Sequence, residues 1–114
     1  MERRVVITGL GAITPIGKDV NESWNSILNK KCGIDNISLF DNSTFKTKVD
    51  AEVKNYESQE YFDLKQSKRL DRSSQFAIIA SREAFKDSGI TKENTDFERV
   101  GVFVSSGIAG LSTI

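Results

Sequence analysis

Two apolar runs, one near each end of the sequence, limit what this chain can fold into. Arg3 to Leu10 holds Val5, Val6, Ile7 and Leu10; Arg99 to Ser105 holds Val100, Val102, Phe103 and Val104. Both are rich in β-branched residues and neither alternates strictly between apolar and polar, the pattern of parallel strands buried on both faces. Thr8-Gly9-Leu10-Gly11 breaks the first run, and Pro15 and Gly17 prolong the loop after it. Ser106-Gly107-Ile108-Ala109-Gly110-Leu111 leaves the second as a Gly-rich turn. Such strands need neighbours on both edges, because unpaired backbone groups are costly to bury. Between them lies one weak extra candidate, Phe45 to Val53, where Val49, Ala51 and Val53 alternate. The expectation is α/β architecture with right-handed crossovers, forming the front piece of a larger sheet that further sequence or a partner chain completes.

Helical signals fill the space between the runs. Asp19 is suited to cap a helix, with Glu22 three residues on as in a capping box. Val20, Trp24, Ile27 and Leu28 follow at helical spacing, Lys30 and Lys31 fall in the expected last turn, and Gly33 is suited to end it. The predicted helix runs from about 19 to 31. Ile34 to Asn42 reads as loop, and Glu57 to Asp63 as a short helix. The longest helical signal spans Lys65 to Ser88. Asp71 caps its main part, Phe76, Ile79, Ala80, Ala84 and Phe85 form an apolar face, and Gly89 ends it.

Charge and composition exclude several classes. Lys plus Arg and Asp plus Glu are 16 each, so no net basic field draws the chain to nucleic acid or an anionic membrane. Hydrophobic residues make up 38% and mean hydropathy is −0.35, and no apolar run approaches the ~20 residues that span a bilayer. The start lacks the apolar stretch and cleavage site of a signal peptide. One cysteine excludes an intrachain disulfide and suits a reducing cytoplasm.

Candidate chemistry is sparse. Gly9-Leu10-Gly11 after a strand resembles a dinucleotide-binding turn, but Thr14 stands where that pattern needs its third glycine. A tight turn packed beneath later elements is the preferred reading. Ser105 and Ser106 sit at a strand end, yet a serine nucleophile needs a base and the chain has no histidine. Cys32 follows the end of the first helix, whereas activated cysteines favour helix N-termini. With one cysteine and no histidine, a zinc or iron–sulfur site is not expected. Lys65, Lys68, Arg69 and Arg72 follow i, i+3, i+4, i+7 spacing and would share a helix face. That face is either simply solvated or a docking patch for an acidic partner. No aromatics interleave with it, which argues against nucleic acid.

Arg4-Val5-Val6-Ile7-Thr8-Gly9-Leu10-Gly11, Pro15-Ile16-Gly17, Trp24, Gly33-Ile34, Phe40-Asp41, Thr47-Lys48, Lys68-Arg69-Leu70-Asp71, Ala84 to Gly89, Arg99-Val100-Gly101 and Ser106 to Leu111 occur in an order and spacing that together resemble the β-ketoacyl-acyl-carrier-protein synthases. Phe40 to Lys48 and Ile108 are similar to the type II branch. The resemblance implies a thiolase-like fold, with residues 1–114 as the opening part of its first half-domain, an incomplete βαβαβ unit, and the C-terminal remainder lying outside this sequence. It implies an acyltransferase of fatty-acid biosynthesis, cytoplasmic and homodimeric. An acyl group moves from acyl carrier protein to an enzyme cysteine. Malonyl-carrier protein then decarboxylates, and its carbanion attacks the thioester. Backbone N–H groups hold the oxyanion, and two histidines assist decarboxylation. The phosphopantetheine arm comes with the carrier, so no metal or further cofactor is expected. The resemblance places Ile108 in the acyl pocket and Lys65, Lys68 and Arg69 in the carrier-docking patch. No catalytic residue transfers, since Cys32 does not match the nucleophile position, so this chain alone is expected to be inactive. Two alternatives remain. A non-catalytic chain-length-factor homologue would differ at the nucleophile position. A free-standing interaction module would bind acidic carrier protein through its basic helix.

Overall fold

The computed structural model describes residues 2–110. The chain divides into two compact units: Ala12–Tyr56, and a second formed by the residues up to Gly11 together with those from Glu57 onward.

In the unit Ala12–Tyr56, helix α1 spans Val20–Leu28. Asp19 caps it, its carboxylate accepting from Glu22 N at 2.7 Å, while Glu22 reaches back to Lys18 N at 2.8 Å. The box is reciprocal as expected, but closes on Lys18 rather than on the cap residue itself. The helix ends earlier than predicted. Lys30 N donates to Ile27 O and Lys31 N to Ser26 O, both at 2.9 Å, with Lys30 at φ 54. This is a Schellman closure with lysine, not Gly33, in the left-handed position. Lys30 and Lys31 therefore lie beyond the last turn.

The buried residues of α1 are Ser23 and Ser26. Ser26 Oγ donates to Ile16 O at 2.6 Å, and Ser23 Oγ lies 2.9 Å from Thr14 Oγ1. Trp24, Ile27 and Leu28 stay exposed. The hydroxyl-bearing side packs against the Thr14–Gly17 turn, and the apolar stripe read from the sequence faces outward. Strands β1, Asp35–Asn36, and β2, Val49–Asp50, pair antiparallel, with Asp35 opposite Asp50. β1 falls inside the segment expected to be loop. Within Phe45 to Val53 only β2 and the adjoining Lys48, whose carbonyl accepts from Ile37 N at 3.0 Å, pair across the hairpin, and the partner is this short neighbour rather than either apolar run.

The other unit is built on helix α3, Arg72–Ser88. Asp71 caps it, accepting from Ser74 N at 2.7 Å and Ser73 Oγ at 2.6 Å. Gly89 closes it at φ 66, a left-handed conformation that glycine adopts without penalty. Helix α2, Leu64–Arg69, precedes it, so the long helical signal is two helices broken at Leu70–Asp71. The expected helix over Glu57 to Asp63 is a single 3₁₀ turn, Ser58–Glu60. A second 3₁₀ turn covers Phe97–Arg99. Phe62 and Ile79 are the buried apolar core of the described residues, and both belong to this unit.

The two expected parallel strands carry no ladder pairing among the described residues. Val5 is 91% exposed, Val102 81% and Phe103 96%. Sequences suited to burial on both faces lie without strand neighbours, so the periodicity is present and the ladder is not. Gly9 and Gly11 do pack beneath a later element, as expected. A Cβ on Gly11 would run into Ala80 O and come within 2.7 Å of Ala84 N; one on Gly9 would meet Ala84 O and lie 2.5 Å from Ser88 N. Leu111, the last residue of the expected Gly-rich turn, lies outside the described residues.

Candidate functional site

Helix α2 carries three of the predicted site residues. Asp63 starts it, accepting from Gln66 N at 2.7 Å, and Ser67 Oγ donates to Asp63 O at 2.9 Å. Lys65, Lys68 and Arg69 project from its six residues, all three exposed. Lys68 and Arg69 fall in the last turn, where the helix dipole favours cations. None of the three has an acidic partner within salt-bridge distance among the described residues. No ion pair among the described residues therefore ties up these cations, though Asp63 and Asp71 flank the helix.

Arg72 does not extend this face. It is the first residue of α3, beyond the break, and its guanidinium lies 5.0 Å from the centroid of the Phe76 ring. The i+7 step in the basic series crosses Leu70–Asp71, which is not helical.

Buried Gln75 was not singled out from the sequence. Its side-chain nitrogen donates to Leu70 O at 2.8 Å and Ser67 O at 3.2 Å. At the other end of the segment, Arg82 donates to Tyr61 O at 3.3 Å and lies 5.2 Å over the buried Phe62 ring. A polar residue on the apolar-patterned helix was the available signal, and it becomes informative only once the break at Leu70 is known.

Ile108 sits in a bend and is 77% exposed. A cavity of about 680 Å³ opens beside it, lined by Leu70, Phe76, Ile78, Val104 and the hydroxyl-bearing Ser105 and Ser106, among others. Ala109 also lines it, but Ile108 does not. The basic helix and Ile108 thus belong to one unit but do not form one lined pocket. Ser105 and Ser106 have no imidazole to serve as base, as the chain has no histidine. Cys32 is exposed, its thiol 3.9 Å from Ile34 O. No group of His, Cys, Asp or Glu among the described residues is arranged to hold a metal ion.

Two further polar anchors have roles that the sequence does not reveal. Buried Glu52 accepts from Ser38 N and Leu39 N, each at 3.0 Å, and from Ser38 Oγ at 2.5 Å. Lys48 Nζ donates to Asn42 O at 2.7 Å and Ser43 O at 2.8 Å, closing the loop before β2.

Comparison with known proteins gives this arrangement a context. Residues 2–113 match the family described as "Beta-ketoacyl synthase, N-terminal domain". The chain belongs to that family. The 3-oxoacyl-[acyl-carrier-protein] synthase 2 of Staphylococcus aureus (strain N315) is 40% identical over 111 residues, covering 97% of this chain and 27% of the relative. The enzyme of the same name from Coxiella burnetii is 42% identical over 113 residues, covering 99% and 27%. Among solved structures, the ishigamide ketosynthase/chain length factor superposes with a TM-score of 0.68 at 31% identity, over 82% of this chain and 23% of that one. The fold is thus the opening portion of a thiolase-like ketosynthase domain, with few strands of its own. The chain spans about a quarter of the length of the curated relatives it matches. No helix among its described residues is long and apolar enough to cross a membrane.

Proposed function

We propose that this chain is the opening portion of a 3-oxoacyl-[acyl-carrier-protein] synthase that elongates fatty acids by condensing an acyl thioester with malonyl-carrier protein. The observation that carries the reading is the family match across residues 2–113, with relatives of that name at about 40% identity. On this reading the chain is the start of the first thiolase-like half-domain. Its share of the work is recognition rather than bond making: it has no histidine, and its lone cysteine lies exposed beyond α1.

Lys65, Lys68 and Arg69 dock the acidic acyl carrier protein, which brings its own phosphopantetheine arm, so the chain itself holds no cofactor. A compact set of exposed cations without internal acidic partners speeds encounter with an acidic surface and weakens with salt. Ile108 lines the acyl pocket of the complete enzyme, a cytoplasmic homodimer. The Staphylococcus aureus and Coxiella burnetii relatives, both named synthases, favour this reading over a non-catalytic chain-length factor.

The test is a chimera in which residues 2–113 replace the matching segment of the Staphylococcus aureus synthase. The chimera is expected to form ketoacyl product, while the 114-residue chain alone forms none. Replacing Lys65 and Lys68 by Glu is expected to raise KM for the carrier-bound substrate about tenfold at low salt and leave kcat within about twofold. A folded chimera without activity, or charge reversal without effect on KM, would overturn the assignment.

A further inference from the structure

Helix α2 is six residues long and buries none of them. An isolated helix shorter than about 12 residues is marginal in water, so α2 cannot owe its shape to its own length or to an apolar face. Its N-terminus has the Asp63 cap. At its C-terminus the carbonyl of Ser67 has no helical donor, because the helix stops before residue 71. Buried Gln75 fills that role. Its amide nitrogen carries two hydrogens and meets two carbonyls, Ser67 O within α2 and Leu70 O at its cap. Arg82, about two turns further along α3, holds Tyr61 O and covers Phe62 just before α2 begins.

We propose that Gln75 and Arg82 are positioning residues that suspend the basic helix between two points on α3, and so fix the spacing of Lys65, Lys68 and Arg69 for an acidic partner. The proposal rests on the docking role assigned above. Spacing is the quantity at stake. Four residues of helix separate Lys65 and Arg69 by about 6 Å along the axis, whereas the same four residues extended span about 13 Å. Losing the helix would spread a patch that a compact acidic surface matches.

The experiment uses the whole 114-residue chain. Amide hydrogen exchange is measured residue by residue for the wild type, Gln75→Met and Arg82→Gln, together with binding to purified acyl carrier protein at low and high salt. Gln75→Met keeps the side chain's length and removes its donors. It is expected to speed exchange at Ser67 to Leu70 about tenfold while leaving Ile79 to Ala84 in α3 unchanged, and to weaken low-salt binding several-fold. Arg82→Gln, at an exposed position, is expected to speed exchange at Tyr61 to Asp63 with α3 equally intact. Unchanged exchange in 61–70 for both variants would overturn the proposal. So would α3 loosening as much as α2, which would make Gln75 an ordinary core residue. A wild-type chain that fails to bind the carrier would sink the docking reading, while the exchange profile would still decide whether α2 is held from α3.

Discussion

The backbone N–H of Leu10 donates to the Asp87 carboxylate at 2.9 Å, joining positions 77 residues apart. Asp87 stands in the last turn of α3, where a negative charge opposes the helix dipole. Its bond to Leu10 gives that placement a structural reason. The same contact brings Gly9 and Gly11 against the backbone of Ala80, Ala84 and Ser88. The Asp87 carboxylate and two missing β-carbons therefore act together, closing the first apolar run onto α3.

That closeness makes Gly11 intolerant of a side chain. Gly11→Ala would press a methyl group into Ala80 O and to within 2.7 Å of Ala84 N. Backbone on a helix cannot step aside as a flexible side chain does, and overpacking of this kind costs about 1–3 kcal/mol. Gly107→Ala has nothing within 4 Å and serves as the control. Urea unfolding should show a clear loss for the first and little change for the second. Equal midpoints would mean that Gly11 does not set the approach of the first segment to α3.

Lys30 offers the opposite case, a residue whose replacement should help. It occupies the left-handed position of the closure after α1 at φ 54, and its side chain is exposed. A β-carbon there costs about 1–2 kcal/mol, part of which glycine returns through its greater freedom when unfolded. Lys30→Gly is expected to stabilise the chain by about 0.5–1 kcal/mol. A thermal midpoint no higher than that of the wild type would show that the turn is not strained.

The sequence made most caps readable, Gly33 excepted, and the faces only in part: Ile79 of the expected α3 face is buried, while the expected stripe of α1 is exposed. Asp19, Asp71 and Gly89 act where their chemistry predicts, because a cap needs only its own few neighbours. The strands at both ends were legible as patterns, yet Val5, Val102 and Phe103 have no ladder, because pairing depends on residues far away in sequence or on another chain. On α1 the apolar period pointed one way and Ser23 and Ser26 packed the other, their hydroxyls bonded to the Thr14–Gly17 turn. Of the candidate site, Lys65, Lys68 and Arg69 stay on one helix while Arg72 falls beyond the break. Gln75 was invisible for the same reason: its two acceptors are orphaned only because α2 ends where it does.

Ile108 yields a prediction about chain length rather than stability. In the active chimera, Ile108→Phe adds bulk where the proposed pocket must receive the growing acyl chain. The products should shorten, with kcat/KM for long acyl substrates falling about tenfold and that for short ones nearly unchanged. An unaltered product distribution would remove Ile108 from the pocket.

Asp71 couples α3 to pH. Hydrogen bonds from Ser73 and from the Ser74 backbone hold its carboxyl below the ordinary value of 3.8. A group whose folded pKa is depressed contributes stability above its unfolded value, and loses it as pH falls through the folded one. Asp71→Ala is therefore expected to lower the thermal midpoint by about 5 °C at neutral pH. The difference should narrow as pH falls below 3.8 and on through the folded value, where the wild-type cap takes up its proton. A difference that persists undiminished in acid would mean that the charge is not what Asp71 contributes.

Asp50 runs in the reverse direction. Its Oδ1 is covered and has no hydrogen-bond partner, and Asp35 faces it across the β1–β2 pair. Desolvation first, and then the charge of Glu52, raise its pKa above 3.8, with Lys54 opposing them. Lys54 is itself 2.7 Å from Asp35, so its charge is shared. A raised carboxylate pKa means that the folded state takes up a proton more readily than the unfolded chain. Stability from this group is complete below the unfolded value and is lost as pH rises through the folded one. Asp50→Asn removes the charge without changing the shape, and should raise the thermal midpoint by a few degrees at neutral pH. The gain should vanish near about pH 3, where Asp50 in the wild type is already neutral. If the variant gains nothing at neutral pH, burial and Glu52 do not strain this hairpin; if it keeps its gain in acid, the benefit comes from the new amide rather than from the lost charge.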